Sequence, residues 1–180
     1  MAENFLSKEE DNQVSKQLAP IKILFISISG NTRSFVKKMT AFAAAQHRLD
    51  PTARLVEAIE VGGDNQYLEM QQPFAVFVPT YLGGGNGINN GNQEIMTTEM
   101  RDTLEDSDNY KWCFGVVGSG NRNFNAQFGL TAKQYAAQFE FPVIDFYELR
   151  GTQADVKRIY QRLAEFQTRF ENHLASSKTN

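Results

Sequence analysis

Short, largely apolar runs alternate along this chain with stretches of helical periodicity, and that alternation restricts the folds open to it. The candidate strands are Lys22 to Ser27 (KILFIS), Arg54 to Ile59 (RLVEAI), Phe74 to Thr80 (FAVFVPT), Lys111 to Gly118 (KWCFGVVG) and Val143 to Leu149 (VIDFYEL). Runs such as KILFIS lack the in–out alternation of a half-buried strand, so they require cover on both faces. Between them, Thr32 to Gln46 places Phe35, Met39, Phe42 and Ala43 on one helical stripe and is broken at Asp50-Pro51. Met96 to Leu104 is weakly helical, and Phe128 to Phe139 forms another helical pattern. In the last helix Thr152 is the expected cap, Asp155 lies in the first turn, and Val156, Ile159, Tyr160, Leu163, Phe166 and Phe170 form the buried stripe. Buried strands alternating with helices predict a parallel sheet covered on both sides, a three-layer α/β/α sandwich. Five such strands fit the order 2-1-3-4-5, in which ligands bind beyond the carboxyl ends of the strands.

With 180 residues, 41% hydrophobic and 22% charged, the chain can build one substantial core. Residues 1–19 are polar and lack the apolar centre of a signal peptide; the reading is a flexible N-terminal arm, or a short helix that docks, ahead of one ligand-binding domain over residues 20–175. A net charge of −3 gives no reason to expect nucleic-acid binding. No apolar stretch approaches the roughly 20 residues that span a bilayer. The single cysteine, Cys113, has no internal partner and lies mid-strand, which fits a buried structural thiol and a reducing cytoplasm. His47 and His173 lie near helix ends and share no metal-ligating cluster.

Chemistry concentrates in three loops at strand ends. Ser27-Ile28-Ser29-Gly30-Asn31-Thr32 joins the first strand to the first helix. A helix start exposes about four unpaired N–H groups and about half a positive charge, so hydroxyls and backbone there form a cradle for a phosphate monoester. The same residue types also make an ordinary helix cap. Neither G-x-x-x-x-G-K-[ST] nor G-x-G-x-x-G follows the strand, which removes the nucleoside-triphosphatase and dinucleotide loops. The second loop, Pro79 to Gly87, offers Thr80 and Tyr81 for stacking and bonding, and Gly83 and Gly84 for close backbone approach to a flat ligand; a plain surface loop has the same composition. In the third, Gly118 to Phe124, Ser119, Gly120, Asn121 and Asn123 can read the edge of a heteroaromatic ring, and Phe124 can cover its face.

The stretches S-G-N-T-R-S-F-V (29–36), G-S-G-N-R-N-F (118–124) and F-Y-E-L-R-G-T-Q-A-D-V (146–156) resemble those of flavodoxins, and more closely those of the NrdI family, the flavodoxin-like partners of class Ib ribonucleotide reductase. The resemblance runs from about Ile21 to Ile159. It implies a flavodoxin-like fold and noncovalent FMN, with Ser27, Ser29, Gly30, Asn31 and Thr32 on the phosphate. Thr80, Tyr81, Gly83, Gly84, Ser119, Gly120, Asn121, Asn123 and Phe124 would line the flavin. It also implies a task. Reduced FMN passes electrons to O2, and the superoxide or peroxide serves dimanganese-tyrosyl radical assembly in the NrdF-type small subunit, with a separate reductant feeding the flavin. No protein side chain is then required for acid–base catalysis.

The chain departs from a compact member of that family in its N-terminal arm and in the length of residues 82–108. The latter carries Glu94, Glu99, Asp102, Glu105, Asp106 and Asp108, either a solvated helix face or negative charge near the flavin edge that would disfavour an anionic reduced flavin. A general flavodoxin electron carrier, and a binding module that keeps the fold without the cofactor, are the alternatives to the NrdI role.

Overall fold

The computed structural model describes residues 17–62, 68–81 and 97–178. Five parallel strands, β1 (Ile21–Phe25), β2 (Val56–Glu60), β3 (Phe74–Pro79), β4 (Cys113–Gly120) and β5 (Val143–Glu148), form one sheet in the order β2-β1-β3-β4-β5. The expected order 2-1-3-4-5 is therefore observed. Helices α1 (Asn31–Leu49) and α4 (Gln153–Ser177) cover one face, and α2 (Thr98–Glu105) and α3 (Leu130–Phe139) the other.

The two cores follow from strand alternation. Ile21, Ile23 and Phe25 point toward Phe35, Met39 and the α4 residues Val156, Ile159 and Leu163. Leu24 and Ile26 point the other way, toward Met100 and Leu104 of α2 and Ala132 and Tyr135 of α3. Each such fully buried side chain contributes on the order of 1.5–3 kcal/mol relative to exposure, which explains why the central strands tolerate no polar face. Cys113 is buried in the second core, and burial pushes its thiol up to about 12, which keeps it unreactive at neutral pH.

Element ends shift from the sequence expectation for identifiable reasons. Lys111 and Trp112 belong to a 3-10 turn (Asp106–Trp112) whose Ser107 and Asp108 have positive φ, so β4 starts at Cys113 and extends through Gly120. Arg54 precedes β2 and turns its side chain inward. Helix α3 starts at Leu130, because Gly129 ahead of it is left-handed. The capping box at α4 forms as expected: Thr152 Oγ1 accepts from the Asp155 N–H, and the Asp155 carboxylate accepts from the Thr152 N–H.

Asp145 fastens β5 to α4, receiving Arg158 Nε at 3.0 Å and Arg162 Nη1 at 3.1 Å. Burial raises its carboxyl, but hydrogen bonds from Arg158, the Phe146 N–H and Arg162 outweigh burial and hold it below its ordinary 3.8. A carboxyl held low in the folded state stabilises the fold above its unfolded value and loses that contribution as pH falls through the folded value. Acid unfolding below about pH 4 should therefore weaken in steepness in Asp145→Asn, measured as Tm against pH. Parallel curves for the two proteins would remove Asp145 from the acid response.

Candidate functional site

The loops that follow β1, β3, β4 and β5 meet at the carboxyl edge of the sheet, and hydrogen bonds between them fix their relative positions. Gly30 caps α1 in the left-handed region (φ 81), and the first backbone bond of the helix runs from the Ser34 N–H to the Gly30 carbonyl. Ser27 Oγ accepts from the Arg33 N–H at 3.1 Å, so this hydroxyl serves the cap. The N–H groups of Asn31 and Thr32 lie ahead of that first bond and face the loop. Ser29 is exposed and accepts a hydrogen bond from Tyr81 Oη at 2.5 Å, joining the first loop to the second.

The second and third loops are joined in the same way. The Thr80 N–H donates to the Ser119 carbonyl at 2.9 Å, and Thr80 Oγ1 accepts from the Thr131 N–H at the start of α3. Beyond Gly120, a 3-10 turn (Arg122–Gln127) opens with the Asn121 side chain accepting from the Asn123 N–H. That bond leaves the Asn121 amide N–H2 group and the exposed Asn123 side chain to meet a ligand. Phe124 is 63% exposed at this rim, in the position of a cover and not of a core residue. Arg122 is held by Glu148, which accepts its N–H at 3.2 Å. Gly83 and Gly84 lie outside the described residues.

Two polar groups at this edge are buried without a partner. Tyr147, stacked on Phe35 with ring centroids 3.8 Å apart, carries its phenol beneath the first loop. Burial pushes that phenol up to about 12, against the opposing influence of the Ser119 and Thr32 hydroxyls nearby. No hydrogen bond of acceptable geometry reaches Tyr147 Oη or Thr131 Oγ1 among the described residues. Buried unsatisfied groups are uncommon; these two lie at the carboxyl edge, while a third such atom, Gln167 Oε1 on α4, lies away from it. A helix start with free N–H groups, small hydroxyls, two amides and two aromatic rings is a donor set that fits a flat heteroaromatic ligand with one phosphate. Among the described residues no group of histidine, cysteine and carboxylates has metal-site geometry.

The acidic run lies elsewhere. Glu105 accepts from Gln138 near the C-terminal end of α3, and Asp106 and Asp108 lie in the 3-10 turn that leads into β4. That end of the run is at the amino edge of the sheet, opposite the loops, and Glu99, Asp102, Glu105, Asp106 and Asp108 are all exposed. The solvated reading holds for these five, and Glu94 is outside the described residues. The structure also brings Tyr147 and Arg150 to this edge, Tyr147 beside Thr32 and Arg150 Nε on Asn31 Oδ1, and the sequence reading assigned neither a role. Both lie inside the F-Y-E-L-R-G-T stretch, which carried the family resemblance but no site role.

A family model described as NrdI flavodoxin-like matches residues 23–161. The chain belongs to the NrdI flavodoxin-like family. An NrdI-like protein of Streptococcus pneumoniae is 44% identical over 146 residues, 81% of this chain and 93% of that protein. Protein NrdI of Mycoplasma mycoides subsp. mycoides is 28% identical over 163 residues, covering 89% of this chain and 92% of its own length. Among solved structures, a short-chain flavodoxin associated with a bacterial microcompartment superposes with a TM-score of 0.54 at 15% identity, over 84% of this chain and 98% of that one. Rubredoxin oxygen:oxidoreductase from Desulfovibrio gigas does so at 0.50 and 12% identity, over 87% of this chain and 37% of that one. These two likenesses concern the fold, which is the flavodoxin-like one that the NrdI motifs implied. No helix among the described residues is long and apolar enough to cross a membrane.

Proposed function

We propose that this NrdI-family chain binds FMN at the carboxyl edge of its sheet and acts as a redox partner in activating a class Ib ribonucleotide reductase. Family membership supports the tie to flavin and to ribonucleotide reductase in general. FMN as the flavin, O2 as acceptor and an NrdF-type small subunit as partner are the finer proposal. The observation that carries it is the convergence of the loops, held by Tyr81 on Ser29 and by Thr80 on Ser119.

In this reading Ser29, Gly30, Asn31 and Thr32 take the phosphate, with Ser27 shaping the turn through the Arg33 N–H. Thr80, Tyr81, Gly83, Gly84, Ser119, Gly120, Asn121 and Asn123 line the ring, and Phe124 limits solvent at its rim. The chemistry supplied by FMN held there would be electron transfer to O2, one electron giving superoxide and two with two protons giving hydrogen peroxide. The chain's own residues bind, orient and shield.

The test loads the full chain with FMN, reduces it without oxygen, and mixes it with O2 and a manganese-loaded class Ib small subunit. The expected result is a tyrosyl radical signal by electron paramagnetic resonance that depends on the FMN-loaded chain. FMN binding and reoxidation without radical would replace this reading by that of a general electron carrier. A chain that ignores FMN would leave only the cofactor-free binding module.

A further inference from the structure

The turn between β5 and α4 delivers a guanidinium to the start of α1, and among the described residues no carboxylate is bonded to it. Arg150 Nε donates to Asn31 Oδ1 at 3.1 Å, and Asn31 is the first residue of α1. The other guanidinium at this loop is spent, since Arg33 donates through Nε and Nη2 to both carboxylate oxygens of Glu60. Among the described residues the Arg150 side chain is bonded only to the neutral amide of Asn31.

The turn is constructed to hold that position. Lys38 of α1 donates from Nζ to the carbonyls of Arg150 and Gly151, at 2.5 and 2.7 Å. The Gly151 N–H closes the turn on the Glu148 carbonyl at 2.8 Å. Gly151 has φ +59, and a Cβ there would stand 2.5 Å from the Phe35 ring, so no other residue fits. Leu149 is also left-handed, at φ 49, a costly conformation for leucine that persists only where its surroundings impose it. One residue earlier in the same segment than Glu148 stands Tyr147, whose buried phenol lies unpartnered beside Thr32 of the loop. One turn thus brings a pinned charge to Asn31 and a buried phenol beside Thr32, both in the first turn of α1.

We propose that Arg150 recognises the phosphate of the flavin nucleotide and makes the site selective for phosphorylated over unphosphorylated flavin. The proposal rests on the FMN reading above and extends it to a residue outside the first loop. A helix start offers only partial charges. A guanidinium with free N–H groups adds a full charge and a planar fork that matches phosphate oxygens. Its bond to Asn31 brings it to the first residue of the helix that carries those partial charges.

The test measures the affinities of the full chain for FMN and for riboflavin by flavin fluorescence, in wild type, Arg150→Gln and Arg150→Lys. Arg150→Gln is expected to weaken FMN binding about tenfold or more and to leave riboflavin binding unchanged. Arg150→Lys should recover part of the loss, and added salt should erode the FMN preference of wild type more than that of Arg150→Gln. Parallel losses for FMN and riboflavin would mean that the side chain only supports the turn and would overturn the proposal. An unchanged FMN-to-riboflavin ratio in Arg150→Gln would overturn it while leaving the FMN reading intact. A wild type that binds neither flavin would overturn both.

Discussion

Gly129→Ala is expected to destabilise the fold by about 2–4 kcal/mol, a fall in Tm of roughly 5–15 °C for a chain of this size. Two costs combine. Gly129 has φ +67, which an alanine adopts only under strain, and its Cβ would lie 2.3 and 2.5 Å from ring atoms of Phe146. The ring is packed against Phe128 at 5.8 Å between centroids, so it has little room to withdraw. The change also reaches the site. Gly129 caps α3, and the Thr131 N–H two residues on is what Thr80 Oγ1 holds at the carboxyl edge. Flavin affinity should fall with stability, and thermal melts with and without FMN measure both. A Tm within about 2 °C of wild type would show that the ring and the turn yield freely.

Arg54→Ala is the second large loss, and it should separate stability from binding. The Arg54 side chain is 2% exposed, and its Nη atoms donate to both Glu171 oxygens, to the Ala19 carbonyl and to Thr168 Oγ1. Removing it strands a carbonyl and a carboxylate, which costs about 3–5 kcal/mol for a fully buried pair. Glu171 remains 30% exposed and can recover water, so about 2–3 kcal/mol is expected. Arg54 precedes β2, at the sheet edge opposite the loops, so FMN affinity well below the melting temperature should not change. The double variant Arg54→Met with Glu171→Leu should regain much of the loss, because apolar replacements need no partner. Equal instability of the single and double variants would assign the effect to packing alone.

The layer order and the two-faced cores were legible because KILFIS and FAVFVPT are apolar on both faces, a pattern that only a sheet covered on both sides satisfies. The capping box of α4 was legible for a similar reason, since Thr152 and Asp155 are local partners three residues apart. The hydroxyl-rich turn after β1 was legible as a class of residues, but the use of Ser27 by the Arg33 N–H was not, because it depends on how the turn closes. Arg54 read as the first residue of a strand, and its burial depends on Glu171 and Thr168, more than 100 residues away. Arg150 and Tyr147 were hidden in the same way. Their positions are set by Lys38 and Phe35 on α1, and no local pattern records a contact between a turn and a helix so distant in sequence. The acidic run read either as a solvated helix face or as charge near the flavin edge, because along the chain it follows the second loop. Its far end instead leads into β4 at the opposite edge.

The central claim is that the strand-end loops form one flavin site. Titrating the full-length chain with FMN while following flavin fluorescence and absorbance tests it most directly. The structure predicts saturable binding of one FMN per chain, with weaker binding when Thr32 or Ser119 is replaced by valine. Fluorescence identical to that of free FMN at every protein concentration would contradict it.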